Sequence, residues 1–394
     1  MGRIAVVMAW AIVASGTSAL DAAASPLPVS MQQDTTKEKK GKKGDGEAKR
    51  PKPARTPAED SARIMKRGER ARALPLFASK APLPFTLVAD FGKIGRDRDS
   101  LSTKRYPGTL VVADEQGAER RIPVNLRTRG HYRLQKRVCN FVNLLVMFPD
   151  SGLEGTPFKD QKSLKLGGHC QSDQRYEDNL MKEYLAYRVF NEVSDRSFRV
   201  RLSKATYVDS TNGKTLDTRV AMWLEDEDDV AARAGGQIRE ARGALFDDIE
   251  PETLNLVTLF EYAIGNTDYS IYALHNTRLA QTPAGLMYLL AYDFDFSGFV
   301  GAPYATPDPS LPIRSVRQRL YRGPCRSAEE FAPAVARFVD RKAAIMAVFD
   351  EVPDLRAGEA KEARDYLEDL YKTLTNPKAV KRDIMDTCTS KPGI

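Results

Sequence analysis

From residue 80 onward, apolar and polar positions alternate in short runs: FTLVADFGKI (85–94), GTLVVADE (108–115), RRIPVNLRTRGHY (120–132), FVNLLVMF (141–148) and SLKLGGH (163–169). A period of two marks strands with one covered face, and the Gly, Asp and charged residues between the runs mark turns. The pattern predicts an antiparallel sheet. In YEDNLMKEYLAYRVFNEV (176–193) the period lengthens: Tyr176, Leu180, Tyr187 and Phe190 fall on one helical stripe, and Glu183 lies in that same stripe. Strands return in SFRVRLSKATYVDS (197–210) and DTRVAMWLED (217–226), with Asn212-Gly213 as the hairpin turn between them.

The remainder reads as mainly helical. PETLNLVTLFEYAIG (251–265) has apolar residues at helical spacing, Pro251 at its start and Gly265 at its end. After GNTDYS, the runs IYALHNTRLA (271–280) and GLMYLLAYDFDF (285–296) read as two strands of a hairpin. Residues 327–349 open with a Ser327/Glu330 capping box and read as a helix, and a last helix is expected over 357–375.

Ahead of the folded part, residues 1–25 combine Arg3, an apolar stretch from Ile4 to Val13 and small residues around Ser18 to Ala24, the layout of a secretory signal peptide. No segment is long and apolar enough to suggest a spanning helix. Net charge is +7, yet residues 37–72 hold fourteen Lys or Arg against six Asp or Glu, so the rest of the chain is close to neutral. That location argues against a nucleic-acid partner and for a disordered basic linker over 26–75, ahead of one folded unit over 76–394. Export implies oxidising conditions, so the four cysteines are expected to pair, Cys139 with Cys170 and Cys325 with Cys388, each pair tying neighbouring stretches. The histidines, His131, His169 and His275, have neither triad nor zinc spacing and are expected to be structural.

Chemistry concentrates in AYDFDFSG (291–298). An aspartate in an apolar strand costs several kcal/mol unless it is paired, hydrogen-bonded or bound to a cation. Residues two apart on a strand share a face, so Asp293 and Asp295 are expected to point into one cleft and hold Mg²⁺ or Mn²⁺. Upstream, GNTDYSIYALHN places Asp268 as the group that would take a proton from an attacking hydroxyl, and Asn276 as a further metal ligand. Lys165, on a strand, and Glu183, eighteen residues later on a helix, have the spacing of a phosphate-binding lysine and the acid that holds it. Arg127 and Arg129 alternate on one strand where they could contact phosphate, and Glu225 ends a strand where it could meet a nucleotide's base or ribose.

In their order, RTRGHYR, KLGGH with LMKEYLAYRVFNEV, GNTDYS and YDFDFSG resemble the spore-coat CotH kinase family over residues 85–325. The resemblance implies an α+β, two-lobed atypical protein-kinase-like fold, with an antiparallel-sheet N-lobe at about 80–226 and a mainly helical C-lobe at about 227–394. It also implies ATP and a divalent metal in the cleft and Ser/Thr phosphorylation of an exported or envelope protein. Asp268 matches the family's N-x-D aspartate, and Asp293 and Asp295 its D-x-D pair. The family's tryptophan before that pair is Tyr292 here, and its aromatic-Gly-aromatic hairpin has no clear counterpart. A non-catalytic envelope or coat-assembly scaffold and a metal-dependent phosphodiesterase are the competing readings.

Overall fold

The computed structural model describes residues 56–391, so the leader expected at 1–25 and residues 26–55 of the expected linker lie outside the described residues. The first element, α1 (Pro57–Arg72), occupies sequence read as disordered. Its start carries a signal that the charge run obscures: Thr56 accepts from the Glu59 amide while the Glu59 carboxylate reaches back, closing a capping box. Ile64, Gly68 and Ala71 then form a buried stripe. Gly68 is required by proximity, because a Cβ there would lie 2.6 Å from the Ala232 carbonyl oxygen. Part of the chain's basic surplus is therefore structural, with Arg67 forking onto Asp226, Asp228 and Asp229, and Arg70 joining it at Asp229.

Seven strands follow: β1 (Leu83–Ala89), then after α2 (Phe91–Arg96) β2 (Tyr106–Ala113), β3 (Glu119–Arg129), β4 (Asn143–Met147) and β5 (Ser163–Gly167), and, after α3 (Gln174–Val193), β6 (Val200–Asp209) and β7 (Thr215–Leu224). They form a closed barrel in the order β1-β2-β3-β4-β5-β7-β6. Neighbours are antiparallel except at the seam, where β1 runs parallel to β6 over seven residues, Leu83 opposite Ser203 to Ala89 opposite Asp209. This closed, mixed barrel overturns the expected two-lobed kinase-like fold with its antiparallel-sheet N-lobe. The physical reason is that closure pairs strands more than a hundred residues apart, and alternation reports a covered face without saying which edge meets which. The run 85–94 also breaks early, at Asp90, whose side chain accepts from the Lys93 amide and caps α2.

Leu87, Leu110, Leu126, Leu144, Leu166 and Trp223 fill the barrel interior. In β3 the inward residues are Ile122, Val124, Leu126 and Thr128, which leaves Arg127 and Arg129 together on the other face, as alternation predicts. On the outer wall, Val200, Leu202, Met222 and Leu224 join a second core with α3. Because α3 meets the barrel on one side and helices on the other, it is buried along almost its whole length.

The rest comprises α4 (Glu227–Arg233), β8 (Gln237–Arg239), α5 (Pro251–Ile264), β9 (Thr277–Gln281) and β10 (Met287–Ala291), with β8, β9 and β10 forming a small sheet. The C-terminal helices are α6 (Ala328–Asp340), α7 (Lys342–Ala347), α8 (Ala357–Leu374) and α9 (Pro377–Asp383). The Ser327/Glu330 capping box forms as expected, although the helix divides near Arg341. Phe190 of α3 stacks on Phe260 of α5 at 4.2 Å, and Phe294 packs on Phe260 and Tyr187, which fixes the segment after β10 against both helices.

Cys139 bonds to Cys170 and Cys325 to Cys388, as expected, and both bonds are compatible with a secreted protein. Among the described residues no helix is long and apolar enough to cross a membrane.

Candidate functional site

Helix α5 ends at Gly265, whose left-handed conformation (φ 63°) turns the chain sharply. The Asn266 side-chain amide then donates to the Glu261 carboxylate while its Oδ1 accepts from the Asp268 backbone amide, fixing the loop from below. Residues 271–276, expected as strand, instead form a tight turn closed by backbone bonds between Ser270 and His275. Two non-glycine residues in that turn, Leu274 (φ 53°) and Asn276 (φ 50°), are left-handed, a strained arrangement that surrounding contacts must hold.

The turn brings two side chains onto Asp268. His275 Nε2 lies 3.1 Å from Oδ1, and Asn276 Nδ2 donates to Oδ2 at 3.0 Å and to the Asp268 carbonyl at 2.7 Å. Asn276, expected as a metal ligand, thus orients Asp268. His275, expected to be merely structural, is Asp268's partner, and the hydrogen bond to that carboxylate raises its pKa above the ordinary imidazole value. Both Asp268 and His275 line a cavity of about 310 Å³ whose other walls include Phe296, Asp308, Ser310 and Arg322.

The aspartate pair is reached differently from the expectation. Strand β10 stops at Ala291, so strand alternation does not place Asp293 and Asp295. Asp293 is instead left-handed (φ 67°) and its amide donates to the Tyr187 hydroxyl at 2.8 Å. Asp295 is buried and accepts from the Tyr304 hydroxyl at 2.8 Å. Burial first, and then the Asp293 charge, raise the Asp295 pKa, to which Asp268 also contributes. Glu183 is 6% exposed and forms no hydrogen bond through its carboxylate among the described residues. Burial, then Asp295 and Asp293, push its pKa well above the ordinary value.

Arg133 faces these acids. Burial alone would weaken the Arg133 charge, but Tyr304, Asp295, Glu183 and Asp293 together raise its pKa. Arg133 donates to the Gly168 carbonyl and keeps an unpartnered, buried Nε. Arg133, Glu183, Asp295 and Tyr304 border a recess of about 10 Å³, room for roughly one water-sized particle. The Cys139–Cys170 bond and the Asn140 amide on the Cys170 carbonyl tie the Arg133 segment to its rim.

A basic pole adjoins this acidic one. Lys165 and Arg278 sit 4.9 and 4.8 Å from the centre of the Tyr292 ring and share the Glu227 carboxylate, at 3.3 and 3.0 Å. The expected Lys165–Glu183 pair is therefore not formed: Lys165 lies on the barrel's outer face beside α4, which supplies the nearer acid. Arg129 has no hydrogen bond or ion pair among the described residues, and after burial it is the main influence lowering the Lys165 pKa. Arg127, also unpaired, occupies the row Arg127–Leu145–Lys165 across the barrel wall.

Glu225 does not reach this site. It is fully buried and bonded to Arg199 and Arg233, whose charges hold its pKa down against burial. The expected contact with a nucleotide base or ribose is thereby excluded.

Arg133, Tyr304, His275, Arg278 and Glu227 were not read from sequence as site residues. Arg133 lies within the same LRTRGHYR run as Arg127 and Arg129, and Arg278 follows Asn276 by two residues, so both signals were adjacent to residues already singled out.

Among the described residues no three His, Cys, Asp or Glu side chains come close enough to hold a metal ion on their own. A hard divalent cation can be held by one or two carboxylates with water and phosphate oxygens, and Asp293, left-handed and only half-buried, offers one such carboxylate. The chain matches no protein-family model, and no curated protein matches it in sequence.

Proposed function

We propose that the chain is a secreted phosphotransferase that moves a phosphoryl group from ATP, with Mg²⁺ or Mn²⁺, to a Ser or Thr hydroxyl of an exported protein. The observation that carries this reading is Asp293: its carboxylate accepts no hydrogen bond among the described residues, yet its charge acts on Glu183, Asp295, Tyr187, Tyr292, His275 and Arg133. A left-handed aspartate with an uncommitted carboxylate, between an acidic and a basic pole, suits a ligand that carries cation and polyanion together.

Asp293 and Asp295 would hold the metal, whose charge when bound offsets that of the phosphate oxygens. Lys165, Arg278 and Arg129 attract and orient the phosphates from the Tyr292 side. The acceptor hydroxyl enters the 310 Å³ cavity, where Asp268 and His275 form the polar wall. Tyr187, whose hydroxyl accepts from the Asp293 amide, keeps the junction between the poles in place.

Thermal unfolding of the purified protein with ATP and Mn²⁺ tests the reading, since a ligand that binds only the folded state raises Tm. The expected result is a rise that needs both components, label transfer from γ-labelled ATP to an added protein, and loss of both in Asp293→Asn. Wild-type protein showing neither nucleotide binding nor transfer would remove the reading and leave a binding scaffold.

A further inference from the structure

We propose that the proton acceptor in the 310 Å³ cavity is Nδ1 of His275, with Asp268 as the residue that positions it. The inference rests on the phosphotransferase reading for its reaction, and on the geometry of one strained turn for its atoms. Both carboxylate oxygens of Asp268 are occupied, Oδ1 by His275 Nε2 and Oδ2 by the Asn276 amide. These two contacts hold the carboxylate against the turn, with Oδ1 directed at the imidazole. On the imidazole, by contrast, Nε2 faces Asp268, and Nδ1 makes no hydrogen bond among the described residues, with the side chain 57% exposed. A carboxylate at one ring nitrogen fixes the tautomer with its hydrogen on that nitrogen and leaves the other lone pair free. Here that lone pair is on Nδ1, and His275 is one of the residues that line the cavity.

The backbone supports a dedicated role. Left-handed residues flank His275 on both sides, and the Ser270–His275 backbone bonds close the turn. Such strain is maintained only where the surroundings over-determine it, and its effect is to aim His275 back at a residue seven positions earlier.

In the step, the acceptor hydroxyl's O–H bond breaks as its oxygen bonds to the transferred phosphorus. The proton passes to Nδ1, and the resulting imidazolium is stabilised by Asp268 through Nε2–H. The phosphate bridge to the leaving nucleoside diphosphate breaks with its electron pair. The charges facing His275 are Asp268 on its own loop and Asp293 from the segment after β10, with Asp308 and Arg322 on the cavity's other walls.

Two measurements on the intact protein test this. Nitrogen-15 NMR of the three imidazoles reads the tautomer directly. The expected result is a His275 ring protonated at Nε2 that loses this preference in Asp268→Asn, whereas an Nδ1–H tautomer, or one indifferent to Asp268→Asn, overturns the proposal. In transfer assays, His275→Gln should lower kcat about 100-fold with little change in KM. It should also abolish the rise of rate with pH that wild type shows as this imidazole deprotonates. A His275→Gln protein with wild-type rate and pH profile overturns the proposal while the phosphotransferase reading stands. Wild-type protein without transfer defeats that reading, and the NMR result then still decides the dyad.

Discussion

Glu225 and Glu183 are both buried glutamates, but they occupy opposite electrostatic situations. Glu225 sits between Arg199 and Arg233 and has its pKa held down. Glu183 has no hydrogen bond to its carboxylate among the described residues, shares its surroundings with Asp293 and Asp295, and has its pKa pushed up. A buried acid whose charge is fully answered by neighbouring cations is part of the scaffold, because the protein has supplied everything it needs. A buried acid left among like charges carries a cost, and chains retain such arrangements where a ligand or a reaction uses them. The contrast separates an acid that holds α4 to the barrel from one whose charge the fold leaves only partly answered.

The largest effect should come from breaking the satisfied acid. Glu225→Ala leaves two arginines without their counter-ion and is expected to cost about 3–5 kcal/mol in denaturant unfolding. Glu183→Gln should act in the opposite direction. An acid with a raised folded pKa binds its proton more tightly in the folded state, so its stability contribution is full below the ordinary glutamate pKa and falls as pH rises toward the folded value. Glu183→Gln should therefore stabilise the protein at neutral pH, lose that advantage in acid, and weaken the ATP- and Mn²⁺-dependent rise in Tm. A Glu183→Gln protein less stable than wild type at neutral pH would show that the acid is answered by a partner after all.

Glu261 offers an intermediate case beneath the Asp268 loop. It accepts from Asn266 yet has a second buried oxygen without a partner, and burial raises its pKa to about 8. Glu261→Gln retains an acceptor for Asn266, so its stability gain should grow as pH rises from about 4.5 to about 8 and be absent below that window. Unfolding curves across this range measure it. The smallest effect belongs to Arg127→Ala, expected to change stability by less than about 0.5 kcal/mol. If it also abolishes the nucleotide-dependent rise in Tm, the basic pole extends further along the barrel wall than Lys165, Arg129 and Arg278.

Much of the local structure was legible because its causes are local. The Pro251 start and Gly265 stop of α5, the Ser327/Glu330 box and the Asn212-Gly213 turn each depend on a few neighbouring residues, and both disulfides join nearby segments. The barrel seam was not legible, because the pairing of Leu83–Ala89 with β6 leaves no mark in either segment alone. Helix α1 was missed because charge density dominated a stripe of only Ile64, Gly68 and Ala71.

The site divides in the same way. Asp293, Asp295 and Glu183 stood out as acids in apolar settings and Asp268 by its place in GNTDYS, and the structure brings their charges within reach of one another. Their partners could not be assigned from spacing. Lys165 meets Glu227 rather than Glu183 because β7, which leads directly into α4, pairs with β5 at Lys165–Leu224, a tertiary event, and His275 reaches Asp268 only through left-handed residues that read as strand.

The docking of α1 has a mechanical consequence. Arg67 grips Asp226, Asp228 and Asp229, and Glu227, between them in sequence, is the shared counter-ion of Lys165 and Arg278. Tension applied to the chain ahead of Pro57, as by anchoring the basic linker to a surface, would load α4 before any barrel strand, and so tug directly on the acid that restrains those two cations.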